Sequence, residues 1–204
     1  MSLQTIIPRT SQAELKKWLL EVLPGQGRWS EDEYLWLTDH TNRLVEFTDG
    51  YIEVLPMPTT RHQAVLKFLF LAFNSFVDPL GGTVFFSGVR LRIREQAYRE
   101  PDLLLLKDKN DPRKQERFWS GTDLTLEVVS EDNPARDLVE KRKDYAEARV
   151  PEYWIVNSED ETITVLKLDG ASYVEHGVFV RGDAAASAML PGFTVSVAAV
   201  FDAK

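Results

Sequence analysis

The chain has 204 residues, of which 44% are hydrophobic and 27% charged, values typical of one soluble globular domain and not of a disordered or fibrous protein. It contains no cysteine, which excludes a disulfide framework, a thiolate nucleophile and a Cys-ligated metal centre. Residues 1–8 lack the pattern of a signal peptide, and the most apolar run, Val65–Phe73, is too short for a membrane span. We therefore expect a single domain over residues 1–204, located in the cytoplasm, with no membrane partner.

The net charge of −8 argues against a protein that coats nucleic acid by bulk electrostatics. The charge is uneven, because residues 90–117 carry nine Lys/Arg against six Asp/Glu. A local basic face on an acidic body suits a protein that engages a polyanion at one place. An ordinary solvated face explains the same pattern equally well.

Capping and turn signals predict the first elements. Ser-x-x-Glu capping boxes begin at Ser11 and Ser30, and they predict two short helices, over residues 15–22 and 34–37, in an N-terminal extension spanning 1–40. Asp49-Gly50 predicts a tight turn between two β-strands. Thr59 or Thr60 then caps a helix to about Val77, which is apolar on both faces and expected to be buried along much of its length.

The rest of the chain alternates between strand and helix signals. Strands are predicted over 83–86, 89–94, 102–107, 124–130 and 152–157, a helix over 134–149, and peripheral β-structure in a C-terminal extension over 159–204. The order predicts an α/β (α+β) fold in which helices flank a mixed central sheet, with its core over residues 41–158.

Two carboxylates occupy apolar strands. Asp102 opens a strand of four leucines, and Glu127 lies inside Leu124–Val129. An ionised carboxylate there is unfavourable unless it is paired, hydrogen-bonded or bound to a cation. On neighbouring strands the two would repel each other unless a divalent cation lies between them, and Mg²⁺ or Mn²⁺ prefers such oxygen ligands. The alternative for each is a carboxylate at a strand end that meets solvent or an arginine.

The helix that follows carries polar residues at every fourth position. Asp137, Lys141 and Tyr145 share one side, and Lys141 falls close to the core-facing stripe that Tyr145 marks. An ordinary Asp–Lys helical ion pair is the alternative interpretation of the same spacing.

Several motifs, in their order and spacing, resemble the Uma-two family of endonucleases, a branch of the restriction-endonuclease-like PD-(D/E)XK superfamily. They are Arg99–Asp102, Leu126–Ser130, the Asp137, Lys141 and Tyr145 series with Val150–Val156, the hairpin from Glu46 to Gly50, the helix start at Pro58–His62, and Leu190–Phe193. The resemblance covers nearly the whole chain and implies a restriction-endonuclease-like core.

The resemblance further implies that Asp102 and Glu127 bind Mg²⁺ or Mn²⁺ that activates water against a phosphodiester, with the carbonyl of Val128 as an extra ligand. Valine stands at position 129, where the superfamily's E-x-K pattern has lysine. Lys141 matches a variant in which the lysine has moved to the following helix. Asp102, Glu127 and Lys141 are therefore the expected catalytic residues.

Auxiliary candidates are Glu46, His62, Asp137 and Tyr145. Glu46 is either a further acidic group near the metal or an exposed strand residue, and His62 either a hydrogen-bonded histidine or a catalytic base. The arginines of strand 89–94 alternate with apolar residues and predict a face that positions a nucleic-acid backbone. They are Arg90, Arg92 and Arg94.

The leading hypothesis is a magnesium-dependent endonuclease that cleaves DNA. A homodimer is compatible with it, because single-site nucleases of this type often need a second subunit to cut both strands. The alternative is a catalytically weak or inactive nuclease-like module that binds nucleic acid or a protein, which the absent E-x-K lysine and the acidic net charge favour. Hydrolysis of a small phosphorylated compound is less favoured, because no glycine-rich phosphate loop is present.

Overall fold

The structure is a computed structural model that describes residues 23–129 and 139–204. The predicted helix over residues 15–22, the start of the predicted helix over 134–149, and Asp137 lie outside this part of the chain.

The helices of the described residues are α1 (Glu31–Asp39), α2 (Thr60–Val77), α3 (Lys141–Glu147) and α4 (Val197–Phe201), with a 3₁₀ turn at Asp78–Leu80. The strands are β1 (Val45–Thr48), β2 (Tyr51–Val54), β3 (Thr83–Phe86), β4 (Leu91–Arg94), β5 (Ala97–Arg99), β6 (Leu103–Leu106), β7 (Leu124–Val128), β8 (Glu152–Asn157), β9 (Thr162–Asp169), β10 (Ser172–Phe179), β11 (Ala184–Ala186) and β12 (Thr194–Ser196).

The local signals of the sequence act as predicted. Both hydrogen bonds of the Ser30–Glu33 capping box form at the start of α1, and the Thr59 side chain caps α2. Asp49 and Gly50 both have positive φ, which matches a two-residue hairpin turn between β1 and β2.

A mixed six-stranded sheet forms the centre of the described residues, in the order β10-β9-β8-β7-β6-β3. Its β7 and β8 strands pair in parallel and the others are antiparallel. A second sheet has the order β2-β1-β5-β4, and β11 pairs with β12. The β-structure predicted after residue 159 includes β9 and β10, which extend the large sheet on one side so that β10 forms its edge.

Helices cover both faces of this sheet. On one face Leu103, Leu105 and Leu126 pack with Leu69 and Phe73 of α2. On the other face Leu104 and Leu106 share a core with Tyr145 of α3. All four leucines of β6 are buried, as the continuous apolar run predicts. A third core holds α1 against β1 and β5, with the rings of Tyr34 and Phe47 stacked at 5.0 Å.

Helix α2 combines a buried face with an exposed apolar one. By length and composition alone, Thr60–Leu80 is long and apolar enough to cross a membrane, a test that a core helix also passes. Its buried residues pack on the sheet, whereas Leu71 is 54% exposed. Buried residues run from Ala64 to Val77, so α2 is buried along much of its length, as predicted, and Phe68 and Ala72 of its second face are partly buried, whereas Leu71 is not covered.

Candidate active site

The start of β6 and the end of β7 lie side by side at one end of the large sheet. Leu103 pairs with Leu126, and continuing this antiparallel register places Asp102 opposite Glu127. The backbone N–H of Val128 donates to Oδ2 of Asp102 at 2.8 Å. Strand pairing therefore brings together two carboxylates that are far apart in the chain.

Glu127 is buried within β7, with only 2% of its surface exposed. Its Oε2 lies 2.9 Å from Nζ of Lys141, and its Oε1 accepts a hydrogen bond from the Tyr145 hydroxyl. Burial, reinforced by the charge of Glu127, raises the pKa of that hydroxyl. Tyr145 therefore stays protonated and donates to the buried carboxylate.

Lys141 is the first residue of α3 and is 6% exposed. Its Nζ also lies 3.9 Å from Oε1 of Glu46, so the ammonium group sits between two buried carboxylates. Asp137, its partner in the alternative helical ion pair, lies outside the described residues. The structure brings Lys141 to Glu127, and the catalytic role of Lys141 stays a prediction.

Glu46 is a buried member of this cluster. It is 1% exposed, so the alternative of an exposed strand residue is wrong. Its Oε1 accepts a hydrogen bond from the backbone N–H of Glu100 at 3.1 Å, and its Oε2 lies 3.6 Å from Nε of Arg99. The β1–β5 pairing of the smaller sheet brings Glu46 near this segment.

Arg99 and Glu100, for which the sequence predicts no role, lie beside the site. Arg99 donates to Asp144 at 2.8 Å and to Thr48 at 2.7 Å, which ties α3 to β1. Burial raises the pKa of Glu100 to about 7, although the Val45 N–H donates to its carboxylate at 3.1 Å. Their position immediately before a fully apolar strand is the sequence feature that could have identified both residues.

His62, in the first turn of α2, contacts the same end of the sheet. Its Nε2 lies 3.0 Å from Oδ2 of Asp102, and the Thr59 side chain accepts from its backbone N–H. This geometry matches the interpretation of His62 as a hydrogen-bonded histidine, and it also links α2 to one of the two carboxylates.

The three arginines of the predicted nucleic-acid face are ion-paired. Nη2 of Arg90 lies 3.0 Å from Oδ1 of Asp39, and Nη2 of Arg92 lies 3.1 Å from Oε1 of Glu31. Nη2 of Arg94 lies 2.7 Å from Oδ2 of Asp49. These pairs attach α1 and the β1–β2 hairpin to β4 and to the residue before it, and Nε of Arg94 also lies 3.2 Å from Oε1 of Glu147 in α3. The pairs reduce the charge available to a polyanion. A role for the arginines in binding nucleic acid stays a prediction.

The donor set at the sheet end fits a hard divalent cation. Both hydrogen bonds of Asp102 among the described residues use Oδ2, so Oδ1 can take a further ligand. No group of three or more His, Cys, Asp or Glu side chains suited to a metal occurs in residues 23–129 and 139–204. Mg²⁺ is commonly held by one or two carboxylates and completes its shell with water, so two carboxylates and a backbone carbonyl suffice.

Comparison with known proteins identifies the family and the fold. A family model for Uma2, described as "Putative restriction endonuclease", matches residues 31–198. Among solved structures, "a putative nuclease belonging to DUF820" from Anabaena variabilis is similar with a TM-score of 0.71 and 21% identity, covering 87% of this chain and 98% of that chain. Similarity at this identity shows the fold, and it confirms the predicted restriction-endonuclease-like arrangement of a mixed sheet flanked by helices. No curated protein matches the chain.

Proposed function

The chain belongs to the Uma2 family of restriction-endonuclease-like nucleases, and from this premise we propose that it is a metal-dependent endonuclease that hydrolyses phosphodiester bonds of DNA. The observation that carries the proposal is the buried Glu127–Lys141 pair beside Asp102, where β6, β7 and α3 meet. Two carboxylates and an ammonium group at one sheet end are the groups that metal-assisted phosphodiester hydrolysis requires.

Asp102 and Glu127 would hold Mg²⁺ or Mn²⁺, with the carbonyl of Val128 as a further ligand. When bound, such a cation supplies a nucleophilic water at neutral pH and stabilises the charge that develops on the phosphate. The chain's own contribution is to fix the ligands: the Val128 N–H and His62 hold Asp102, and Tyr145 holds Glu127.

Lys141 would stabilise the negative charge of the phosphorane-like transition state. Its ammonium group is already desolvated and held by Glu127 and Glu46, so little reorganisation is needed during the reaction. Glu46, His62, Tyr145 and Asp137 are proposed as auxiliary residues. Arg90, Arg92 and Arg94 would contact the DNA backbone only by exchanging their present acidic partners for phosphates.

The proposal includes DNA as the partner, a cytoplasmic location and a homodimer that presents two sites to one duplex. The absence of cysteine agrees with a cytoplasmic location and does not require it.

One observation favours the second candidate, a nuclease-like module without useful catalysis. The Glu127 carboxylate already has two partners in Lys141 and Tyr145, a state that satisfies a buried acid without a metal. Metal titration of the wild-type protein separates the two candidates, because a module of this kind has no reason to bind Mg²⁺ or Mn²⁺.

The activity test uses isosteric variants. We expect the wild-type protein to nick supercoiled plasmid DNA when Mg²⁺ or Mn²⁺ is present and to lose this activity in EDTA. Asp102→Asn and Glu127→Gln should each abolish cleavage while keeping the fold, as circular dichroism would check. Glu152→Gln is the control, because Glu152 is also a buried glutamate and lies on the adjacent strand β8. Its carboxylate accepts hydrogen bonds from the Trp154 indole N–H and from the Met189 backbone N–H. Cleavage retained in both site variants would overturn the proposal, and RNA as the better substrate would overturn its DNA part.

A further inference from the structure

Strand β3 lies at one edge of the large sheet, and no strand of the described residues pairs with its outer side. The strand is Thr83-Val84-Phe85-Phe86, without a charged residue or proline. Edge strands of monomeric proteins commonly carry lysine, proline or a bulge that prevents pairing with another chain. Its pairing with β6 is regular from Thr83 to Phe86.

The hydrogen-bond pattern shows which backbone groups of β3 point outward. The N–H of Ser87 donates to the carbonyl of Asp102 at 2.9 Å, so this pair occupies a hydrogen-bonded position of the β3–β6 ladder. Because such pairs alternate along an antiparallel ladder, Phe85 is bonded to β6, whereas Val84 and Phe86 direct their N–H and C=O groups away from the sheet. No described residue bonds these outward groups.

Apolar side chains accompany this open edge. Phe86 is 55% exposed, and its ring meets that of Phe70 in α2 edge-on at 5.0 Å. Leu71, the next residue of α2, and Phe85 are also exposed. Backbone groups that need partners and apolar rings that gain from burial therefore lie together.

We propose that β3 pairs antiparallel with β3 of a second copy of this chain, about a two-fold axis at Phe85. Val84 of each copy then faces Phe86 of the other, and each such pair exchanges both of its outward hydrogen bonds. Phe86 and Phe70 of the two copies approach each other across the axis. The large sheets of the two copies become continuous.

The strand's own geometry selects a second copy as the partner. Val84 and Phe86 are the two outward residues of β3, and a two-fold axis midway between them satisfies both on each copy. An axis at Val84 would instead require the N–H of Gly82, which already donates to the carbonyl of Val77 at 2.9 Å. The contact strand is uncharged, so the net charge of −8 is not concentrated at the interface.

The arrangement has a consequence for cleavage that rests on the proposed function. Asp102 is the neighbour of Ser87 across the β3–β6 ladder. Counted in strand spacings and residue rises, the Cα atoms of the two copies of Asp102 would therefore lie about 20 Å apart. This distance corresponds to about six base-pair steps of a duplex. Two proposed sites at that spacing could act on one DNA molecule.

Sedimentation velocity of the full chain at a series of concentrations, without DNA or metal, tests the interface. We expect a concentration-dependent dimer in the wild-type protein. Phe86→Lys should raise its dissociation constant by at least about tenfold, because it places a charge at the paired edge. Val178→Lys is the matched control, since Val178 is 47% exposed on β10 at the opposite edge of the same sheet, and it should leave the dimer unchanged.

A cysteine cross-link gives an independent readout should Phe86→Lys fail to fold. The chain has no cysteine, and the two Phe85 positions face each other at a non-hydrogen-bonded pair, about 4.5 Å apart between Cα atoms. Phe85→Cys should therefore form a covalent dimer on mild oxidation, and Val178→Cys should not. A wild-type protein that stays monomeric at all concentrations would overturn the inference, whether residues 1–22 or another protein covers the edge. Equal effects of the two lysine variants on the dissociation constant would also overturn it. A dimer without nuclease activity would contradict the proposed function alone.

Discussion

Removing the positive charge of Lys141 tests how strongly this residue holds the candidate site together. Its Nζ lies 2.9 Å from Glu127 and 3.9 Å from Glu46, and all three side chains are buried. In Lys141→Met the aliphatic part of the side chain is retained, but two buried carboxylates lose their shared cation. Breaking a buried pair in this way costs about 3–5 kcal/mol.

Urea unfolding followed by tryptophan fluorescence measures this loss, and the transition midpoint should fall by at least about 1 M. Lys143→Met is the control, because Lys143 is an exposed residue of the same helix, and its effect should stay within about 0.5 kcal/mol. The double variant Glu127→Gln/Lys141→Met should recover part of the loss, since the amide removes the charge of the carboxylate nearest to the lost ammonium group. Equal effects of Lys141→Met and Lys143→Met, or strict additivity in the double variant, would refute the reasoning.

Three further predictions follow from individual contacts. Tyr145→Phe removes the hydroxyl that donates to Glu127 and should lower the free energy of unfolding by about 1.5–3 kcal/mol in urea titrations; an unchanged midpoint would contradict the contact. Burial raises the pKa of Glu100 to about 7, so the folded state holds its proton more tightly and this contribution to stability is lost as pH rises from about 4.5 to 7. The stability of the wild-type protein relative to Glu100→Gln should therefore fall over that interval, by up to about 3 kcal/mol, and a rise would show that the sign is wrong. Gly50→Ala should lower the melting temperature more than Gly170→Ala, because Gly50 has a φ of 85° and its added Cβ would approach the Gly27 backbone to 2.8 Å, whereas nothing lies within 4 Å at Gly170.

Local signals in the sequence predict most of the elements. The Ser30–Glu33 capping box, the Thr59 cap and the Asp49-Gly50 turn each act within a few residues, so their physical effect is visible in the sequence itself. The four leucines of β6 likewise predict a strand covered on both faces.

Long-range pairing accounts for what the sequence could not predict. The proximity of Glu127 to Lys141 was expected from the family resemblance, but the burial of Glu46 beside them depends on how β1 meets β5 in a second sheet. The arginines at 90, 92 and 94 alternate with the buried Leu91 and Ile93, as the pattern predicts, yet their acidic partners come from α1, from the β1–β2 hairpin and, through Glu147, from α3. No periodicity within a single segment contains that information.

The exposure of one side of α2 also depends on long-range packing, which local sequence patterns do not contain. The apolar residues at 68, 71 and 72 predict a second buried face; Phe68 and Ala72 do pack partly on the core, but no described residue covers Leu71 fully. Periodicity shows that a helix is apolar all round, and it does not show whether the cover comes from the same chain.

The most direct test of the central claim is anomalous diffraction from a crystal of the wild-type protein soaked in Mn²⁺. Two converging carboxylates predict a peak between Asp102 and Glu127, at about 2.0–2.2 Å from an oxygen of each, and Glu127→Gln should weaken or remove it. A well-ordered sheet end without manganese density, or manganese bound only at other carboxylates, would contradict the account.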